Sequence, residues 1–423
     1  MHRLSYVCAL GALAVVALAS GLEAVPRVRQ VPARGLIPNA YHSVLSDAEG
    51  AVYPRPDRRG TLLGRLSVGA PFGLYAVASA GRGCTRQWVS IGDDRWVCGD
   101  DVLLRTDRFR ALPSNSSRVP SRWAFTAGNR PRVYRSLADA TAGDPHRGEL
   151  WEAHWGFAVR GEVRVPPTGS YLQLLDGRWI SRHDVYGSDP LTFSGDTLER
   201  LSYSHGHHRT FGWVVAPGTA SWRHLEATRT SPGHRQLRRL QRVHVHATQR
   251  YNGAEWSRID GSQWVRSDRL QVFVPSAPPP EVRGARERWI DVDRVTQILT
   301  AYEGREPVYA TLVSTGRTGS ETPPGVFRVW GKYLTHTMDN LEDSTAQGRF
   351  RLGDVPYVQF YDGDRGLHGA YWHDGFGRAR SHGCVNLAPR DAQWLFRFTA
   401  GEVPEGWVSV AVPRAEGTVV RVR

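Results

Sequence analysis

The segment that decides how this chain folds and reacts reads Leu367-His368-Gly369-Ala370-Tyr371-Trp372-His373-Asp374, and after a short spacer it continues Ser381-His382-Gly383-Cys384-Val385-Asn386. It brings one thiol and several imidazoles close together in the sequence. A cysteine attacks only as the thiolate, so it needs a neighbouring base and backbone N–H groups that stabilise an oxyanion. An isolated cysteine or histidine is more often a buried structural residue. The combination predicts a cysteine nucleophile at Cys384.

The two halves of this segment resemble the signature of L,D-transpeptidase catalytic domains of the YkuD type, in which a His-Gly pair precedes Ser-His-Gly-Cys and a hydrophobic residue. The resemblance extends over residues 287–412. It is carried further by Trp289-Ile290-Asp291-Val292, Val313-Ser314-Thr315-Gly316, Thr322-Pro323-Pro324-Gly325-Val326-Phe327, Val355-Pro356-Tyr357 and Asp391-Ala392-Gln393-Trp394-Leu395-Phe396. It implies a mostly β, sandwich-like catalytic domain with one or two short helices, predicted here over residues 285–414.

The resemblance also assigns catalytic roles. It makes His368 the base that takes the proton of Cys384, with the Gly369 carbonyl orienting the imidazole. His382 precedes the cysteine by two residues and is a rival base, because residues at that spacing share one face of a strand. The N–H groups of Gly383 and Cys384 are the expected oxyanion donors. The predicted catalytic set is Cys384, His368, His382, Gly369 and Ser381, the last of which should hold the loop.

A second set of residues is predicted to contact the substrate. These residues are Tyr357, Tyr371, Trp372, His373 and Asn386. His373 and Asp374 are either a second proton-handling pair or structural members of the loop that crosses the cleft. Asn386 stands where many relatives carry arginine, so this position gives no basis for predicting carboxylate recognition.

The reaction implied by the resemblance is acyl transfer on peptidoglycan stem peptides. Cys384 would attack the carbonyl of the third residue, expel the terminal D-Ala and pass the acyl group to an amine, which forms a 3→3 cross-link without any cofactor. The residues alone indicate only a cysteine acyltransferase or hydrolase. The alternatives are an L,D-carboxypeptidase, an enzyme that attaches protein to the wall, and a wall-binding protein without catalysis.

Length and the N-terminal sequence predict several domains and an exported protein. The chain has 423 residues, which suggests about three domains. Residues 1–24 carry an early positive charge, an apolar run and small residues at the end, as a signal peptide does. No other run is long and apolar enough for a bilayer span, so the mature chain is expected to lack one and to reside in the periplasm or cell envelope.

The cysteines outside that leader are Cys84, Cys98 and Cys384. An odd number of thiols in an exported protein is typical of one disulfide plus one reactive cysteine. A Cys84–Cys98 disulfide would stabilise the fold by up to about 3 kcal/mol. Two separate buried thiols are the alternative, because a hairpin that turns at residues 92–94 would not place the two cysteines directly opposite each other.

The net charge of +13 and pI near 10.0 favour attraction to an anionic wall polymer. Nucleic acid is not predicted as a partner, since the arginines are scattered and no aromatic-interleaved basic motif is present. A solvated basic surface without a specific partner is the alternative. His205-Gly206-His207-His208, with His244 and His246, lacks the cysteine or carboxylate spacing of a metal site, so no metal is predicted.

A weak repeat precedes the catalytic region. In each copy an aromatic residue leads a second Trp across a polar turn, as in Trp88/Trp96, Tyr171/Trp179 and Trp256/Trp264, and an apolar residue follows: Val102, Val185 and Leu270. The pattern predicts β-hairpins. These units resemble bacterial SH3-like β-barrel modules and are placed at residues 36–108, 120–190 and 209–274, where they would bind wall polymer. Alternatively, the aromatic pairs are core residues only.

Residues 275–284 are predicted to be a linker, because Pro278, Pro279 and Pro280 cannot pair inside a sheet. Few contacts are expected to cross this boundary. Beyond it, strands are predicted over residues 289–292, 297–302, 308–314, 326–329 and 357–360. A helix over residues 389–398 should pack beneath the active-site loop.

Overall fold

The computed structural model describes residues 31–32, 43–47, 49–78, 81–92, 94–105, 119–128, 130–187, 191–198, 210–229, 232–342 and 349–423. The predicted leader at residues 1–24 and the histidines at 205–208 lie outside the described residues. The fold is mostly β, as predicted. Within the described ranges, no helix has the length and apolar character needed to cross a membrane.

The first unit is built from short strands that pair in antiparallel fashion. They are β1 (Val31–Pro32), β2 (Ser43–Ser46), β3 (Ala51–Tyr53), β4 (Gly64–Leu66), β5 (Pro71–Gly73), β6 (Ala76–Ala78), β7 (Trp88–Ser90), β8 (Trp96–Cys98) and β9 (Val102–Arg105). β2 lies between β5 and β9, and β3 lies between β4 and β8. Cys84 and Cys98 form a disulfide with a Cα–Cα distance of 5.6 Å. Cys98 pairs with Trp88 across the β7–β8 hairpin, and Cys84 precedes β7. The disulfide therefore joins β8 to the segment before the hairpin rather than linking two opposite residues of it.

The second unit contains a helix as well as strands. Its elements are β10 (Trp123–Thr126), β11 (Arg132–Tyr134), α1 (Leu137–Ala142), β12 (Gly148–Leu150), β13 (Gly156–Val165), β14 (Gly169–Leu174), β15 (Trp179–Ser181) and β16 (Val185–Gly187). After a short strand β17 (Asp196–Thr197), the third unit comprises β18 (Thr210–Val214), β19 (Thr219–Ser221), β20 (Arg235–Leu237), β21 (Arg242–Tyr251), β22 (Ala254–Ile259), β23 (Gln263–Arg266) and β24 (Leu270–Val272).

The predicted hairpins are present in all three units. β7 pairs with β8, β14 with β15 and β22 with β23, and each hairpin is followed by one 3₁₀ turn and a final strand. The apolar residues predicted to follow them, Val102, Val185 and Leu270, are buried. Four of the six paired aromatics are buried too: Trp88, Trp96, Tyr171 and Trp256. This packing accounts for the aromatic pairs, and the assignment of the units as SH3-like modules stays a prediction.

The catalytic region is a sandwich of two sheets around one core. Its elements are β25 (Arg288–Asp293), β26 (Ile298–Glu303), β27 (Glu306–Leu312), β28 (Gly325–Arg328), β29 (Gly331–Asp339), β30 (Arg351–Asp362), β31 (Arg365–Gly369), β32 (Val385–Leu387), α2 (Pro389–Phe398), β33 (Trp407–Ala411) and β34 (Val419–Val422). One sheet has the order β17-β27-β26-β25-β34-β28. In the other, β33, β29, β30, β31 and β32 pair in that order.

The predicted end of this domain at residue 414 is too early. β34 pairs in parallel with β25 and in antiparallel with β28, so the C-terminal strand lies inside the sheet. Helix α2 spans the predicted residues 389–398, with Pro389 in its first turn. It packs on β30 and β31 and closes the core from one side.

The prediction that few contacts cross into the catalytic domain is wrong. β4 of the first unit pairs with β33, and β17 pairs with β27 as an extra edge strand. The Gly195 N–H before β17 donates to the Asp391 carboxyl on α2 at 2.9 Å. The proline segment itself is anchored, because the Ser276 N–H donates to the Tyr302 hydroxyl at 2.8 Å. Proline prevents a segment from joining a sheet interior, but it does not prevent docking.

Candidate active site

Two parallel strands position His368 and Cys384. His368 of β31 stands opposite Asn386 of β32, and Cys384 directly precedes β32. Because side chains alternate across a strand, Asn386 lies on the same face as His368, and Cys384 stands two residues before Asn386 at the entry to the strand. Their chain neighbours Leu367 and Val385 are fully buried on the other face, within the core that includes α2. The core thus fixes the register of the two catalytic candidates.

His368 is held as a neutral imidazole. Its side chain is only 2% exposed, and Nδ1 lies 3.4 Å from the Gly369 carbonyl. Because a carbonyl oxygen only accepts, Nδ1 carries the hydrogen and Nε2 keeps a free lone pair. Burial lowers the pKa of His368 to about 4, against the smaller opposite effect of the Gly369 hydrogen bond. The Trp372 ring packs at 5.8 Å and shields the imidazole.

Cys384 is a free thiol in the structure. Its Sγ lies 3.9 Å from the Asp364 carbonyl, to which the thiol donates. Burial raises the pKa of Cys384, and the backbone N–H of Gly366 offsets part of that rise. The resting pair is therefore thiol and neutral imidazole rather than an ion pair, so attack requires a base that removes the thiol proton as the new bond forms.

The turn before the nucleophile is fixed by Ser381. The Gly383 N–H donates to Ser381 Oγ at 3.1 Å, and the Ser381 hydroxyl donates to the Cys384 carbonyl. Thr322 Oγ1 donates to the Gly383 carbonyl at 2.9 Å. Ser381 thus holds the loop in the way the sequence predicts. However, its hydroxyl occupies the Gly383 N–H, which the sequence assigns to the oxyanion.

His382 does not share a strand face with Cys384. Residues 382–384 form a bend, and Gly383 has a φ of 124°, which breaks the extended chain on which that prediction depends. The exposed His382 ring instead stacks on Phe350 at 5.7 Å, and Arg317 donates to its Nε2 at 2.8 Å. The Arg317 charge adds to desolvation in lowering the pKa of His382. With its Nε2 already occupied by a cation, His382 is a poor proton acceptor for Cys384.

His373 and Asn386 connect the loop to the catalytic strands. The Gly375 N–H donates to His373 Nδ1 at 3.1 Å, and His373 Nε2 lies 2.9 Å from the Asn386 amide. The Asn386 atom at Nε2 is the amide nitrogen, but since Nδ1 accepts, Nε2 carries the hydrogen, and flipping the amide gives Nε2 an oxygen to donate to. Burial lowers the pKa of His373 to about 4, which keeps this arrangement neutral. Asp374 instead pairs with Arg239 at 3.2 Å, so the structure gives both residues loop-holding contacts.

The residues predicted to contact substrate fall into different places. Trp372 is half-buried beside His368, where a substrate could touch it. Tyr371 is 3% exposed, stacks on Trp123 at 5.0 Å and donates to the Gly353 carbonyl, so it lies in the contact with the second unit. Tyr357 packs against Phe396 of α2 on the core side. Neither placement supports the predicted substrate contact of Tyr371 and Tyr357.

Three residues that shape the site were not predicted. Thr322 and Arg317 hold Gly383 and His382, and Ser314 Oγ donates to the Gly375 carbonyl at 3.1 Å. Ser314 and Thr322 lie in segments that carry the family resemblance, which is the signal that could have identified them.

A metal site is not apparent in the described ranges. The one group of potential ligands there is Cys84, Cys98 and Asp100, and both of its sulfurs are in the disulfide. His244 and His246 contact the same carboxylate, Asp260, at 3.0 and 3.9 Å.

Comparisons with known proteins give one family match and several similar solved structures. Residues 287–422 match the YkuD family, the L,D-transpeptidase catalytic domain. A search of curated proteins found no match. Among solved structures, the Stackebrandtia nassauensis L,D-transpeptidase is 26% identical over 34% of this chain and 58% of its own, with a TM-score of 0.24. A mutant of the Enterococcus faecium L,D-transpeptidase is 26% identical over 32% and 50%, with a TM-score of 0.25.

The L,D-transpeptidase from Mycobacterium smegmatis is 19% identical over 43% of this chain and 99% of its own, with a TM-score of 0.27. The chain thus spans about half the length of the Stackebrandtia and Enterococcus proteins. The family match covers both strands of the catalytic pair and the loop between them. Residues 287–422 of this chain are an L,D-transpeptidase catalytic domain of the YkuD family.

Proposed function

We propose that the protein is a peptidoglycan L,D-transpeptidase in which Cys384 is the nucleophile and His368 the base. The observation that carries this proposal is a neutral, buried His368 on β31, which pairs with the strand that Cys384 directly precedes. A neutral imidazole with a free Nε2 can accept the thiol proton, whereas a histidinium could not. The shielding Trp372 ring keeps water from the imidazole.

The acylation step starts with the stem peptide in the cleft. Sγ of Cys384 bonds to the carbonyl carbon of the third residue while Nε2 of His368 takes the thiol proton. The bond to the terminal D-Ala nitrogen then breaks, and the imidazolium returns the proton to that leaving amine. We assign the Cys384 N–H as the first oxyanion donor, because the Gly383 N–H is engaged by Ser381.

The thioester conserves the acyl group for the second step. An amine of a neighbouring stem attacks the thioester, loses its proton to His368, and releases the Cys384 thiol with formation of a 3→3 cross-link. Water in place of that amine would make the enzyme an L,D-carboxypeptidase, and a protein amine would make it an attachment enzyme. The geometry at Cys384 is the same for all three acceptors.

The rest of the chain is proposed to place this domain at the wall. The net charge of +13 favours binding to an anionic polymer. The three units before residue 275 would supply further surface for contact with that polymer. Residues 1–24 would direct export to the periplasm or cell envelope.

The test is incubation of the full chain with purified sacculi, followed by muropeptide analysis. We expect new 3→3 dimers with the wild type and none with Cys384→Ala. New tripeptides without dimers would favour the carboxypeptidase. Unchanged muropeptides, together with no mass adduct from imipenem, would contradict an acyl-enzyme function altogether.

A further inference from the structure

A cleft of about 850 Å³ lies where the second unit, the third unit and the active-site loop meet. The second unit contributes Phe125 and Tyr186, and the third contributes residues 238–241. Residues 371–374 of the loop form a further wall. The volume falls within the range of about 300–1,000 Å³ that is typical of small-molecule sites.

The cleft adjoins the catalytic pair through Trp372. One side of this half-buried ring stacks near His368, with 5.8 Å between ring centroids, and the residue also lines the cleft. His373, the next lining residue, lies 2.9 Å from the Asn386 amide beside the catalytic strands. A molecule in the cleft would therefore be close to a peptide bound at Cys384.

One wall of the cleft is an aromatic ledge that faces solvent. Tyr186 is 44% exposed, which is unusual for a large aromatic ring, and it stacks on Phe125 at 5.3 Å. His154 Nδ1 lies 3.0 Å from the Tyr186 hydroxyl and fixes the ring. An open ring with a polar rim suits the apolar C–H face of a sugar, whose hydroxyl groups need polar partners.

The third unit brings one uncompensated positive charge to the lining of the cleft. Arg239 is bound to Asp374 through its side chain and to the Asp374 carbonyl, so its charge is balanced. Arg238 is exposed, and its guanidinium has no carboxylate partner among the described residues. A free guanidinium at the edge of a cleft favours a ligand that carries a carboxylate.

We propose that this cleft binds the saccharide part of the wall strand whose stem peptide enters the active site. The ligand class is an N-acetylated disaccharide with an attached carboxylate-bearing peptide, stacked on Tyr186 and paired with Arg238. The proposal rests on the proposed function for the identity of the polymer. It makes the second and third units part of the substrate site rather than a separate wall anchor.

The test compares two probes on the full chain with Cys384→Ala, which prevents turnover. One probe is the disaccharide-tetrapeptide of peptidoglycan, and the other is the same tetrapeptide without sugar. We expect Tyr186→Ala to weaken calorimetric binding of the first probe about tenfold and of the second less than twofold, because only the first probe carries the sugar. Arg238→Ala should weaken binding of both probes, because its carboxylate partner belongs to the peptide. Tyr186→Phe, which keeps the ring, should retain binding of the first probe.

Arg250→Ala is the matched control, because it removes an exposed arginine from the third unit outside the cleft. Equal losses for both probes with Tyr186→Ala, losses with Arg250→Ala, or no loss with Tyr186→Ala or Arg238→Ala would overturn the proposal. Imipenem adduct formation by the wild type tests the chemistry separately. Cleft-dependent binding by a chain that forms no adduct would support the saccharide site and contradict the proposed reaction.

Discussion

The catalytic strands and the loop between them belong to one active site but are held by different parts of the chain. β31 and β32 are held from behind by the catalytic domain itself, through Leu367 and Val385 in its core. The loop that connects them is bound by the domain through Ser314 and Gly375 and is also held from outside, where Tyr371 stacks on Trp123 and Asp374 pairs with Arg239. The proposed catalytic residues therefore lie within one domain, whereas the shape of the active-site entrance also depends on the second and third units.

The two units that hold the loop use different interactions. The second unit contacts its start by aromatic packing, with Trp123 and Tyr371 nearly parallel at an interplanar angle of 8°. The third unit contacts its end by polar bonds, in which Arg378 donates to the Val215 carbonyl at 3.1 Å and Gln271 to the Gly377 carbonyl at 3.4 Å. Phe376 of the loop also lies in one buried apolar cluster with Phe211, Trp213 and Val215 of the third unit, so the end of the loop is held by apolar packing as well as by polar bonds.

The largest effect is expected from the strands. His368→Ala should slow adduct formation with imipenem by about 100-fold or more, the usual scale for loss of a general base. His382→Ala should cost about tenfold at most, because His382 points to Arg317. Single-turnover mass spectrometry measures both rates. The reverse ranking would place the proton on His382 and would contradict the geometry of the bend.

The next effect tests the loop. Trp123→Ala removes the stacking partner of Tyr371 and the bond from Trp123 Nε1 to the Asp354 carbonyl at 3.3 Å. We expect adduct formation to slow about tenfold, since small displacements of positioning groups have effects of this order or larger. A fragment of residues 281–423 should be impaired at least as much, because it also lacks β17.

Tyr75→Ala is the control for that experiment, since Tyr75 is 63% exposed in the first unit. A fragment that reacts as fast as the full chain would show that the catalytic domain orders its own loop. Equal losses with Tyr75→Ala would indicate a general effect of aromatic removal rather than docking.

The pH dependence distinguishes a buried base from a solvated one. Because burial lowers the pKa of His368 to about 4, the active neutral form persists as pH falls and is lost only near that value. After correction for ionisation of the Cys384 thiol, we expect the rate of adduct formation to change by less than about twofold between pH 7 and pH 5. An ordinary histidine would lose most of its neutral form by pH 5. A half-point near pH 6.5 would mean that the loop leaves His368 open to water.

The sequence predicts what local chemistry fixes and misses what long-range packing fixes. Helix α2 was predicted over its observed residues because a proline start and apolar spacing are local signals. His382 was misplaced because two-residue spacing implies one face only on an extended strand, and Gly383 interrupts it. Tyr357 was misassigned because periodicity does not say which face of β30 meets α2. Tyr371 and Trp123 are far apart in the sequence, and no local sequence pattern predicts that their side chains stack.

The smallest effect on catalysis is expected from the disulfide, which lies in the unit that does not hold the loop. The first unit reaches the catalytic domain through β4 and β33, away from residues 371–378. Replacing both Cys84 and Cys98 by alanine should lower the free energy of unfolding by up to about 3 kcal/mol, because the loop they close regains its freedom in the unfolded chain. Adduct formation should stay within about twofold, since Cys384 and its neighbours are untouched.

Urea unfolding monitored by tryptophan fluorescence, combined with imipenem adduct rates, measures both quantities on one protein. Alanine replacement is preferable to treatment with a reductant, because a reductant would also change the redox conditions around the free Cys384 thiol. Loss of stability without loss of rate would separate the first unit from the other two. A rate as low as that of Trp123→Ala would instead show that changes in the first unit reach the catalytic strands through β33 and β29. The first unit would then also contribute to the active site.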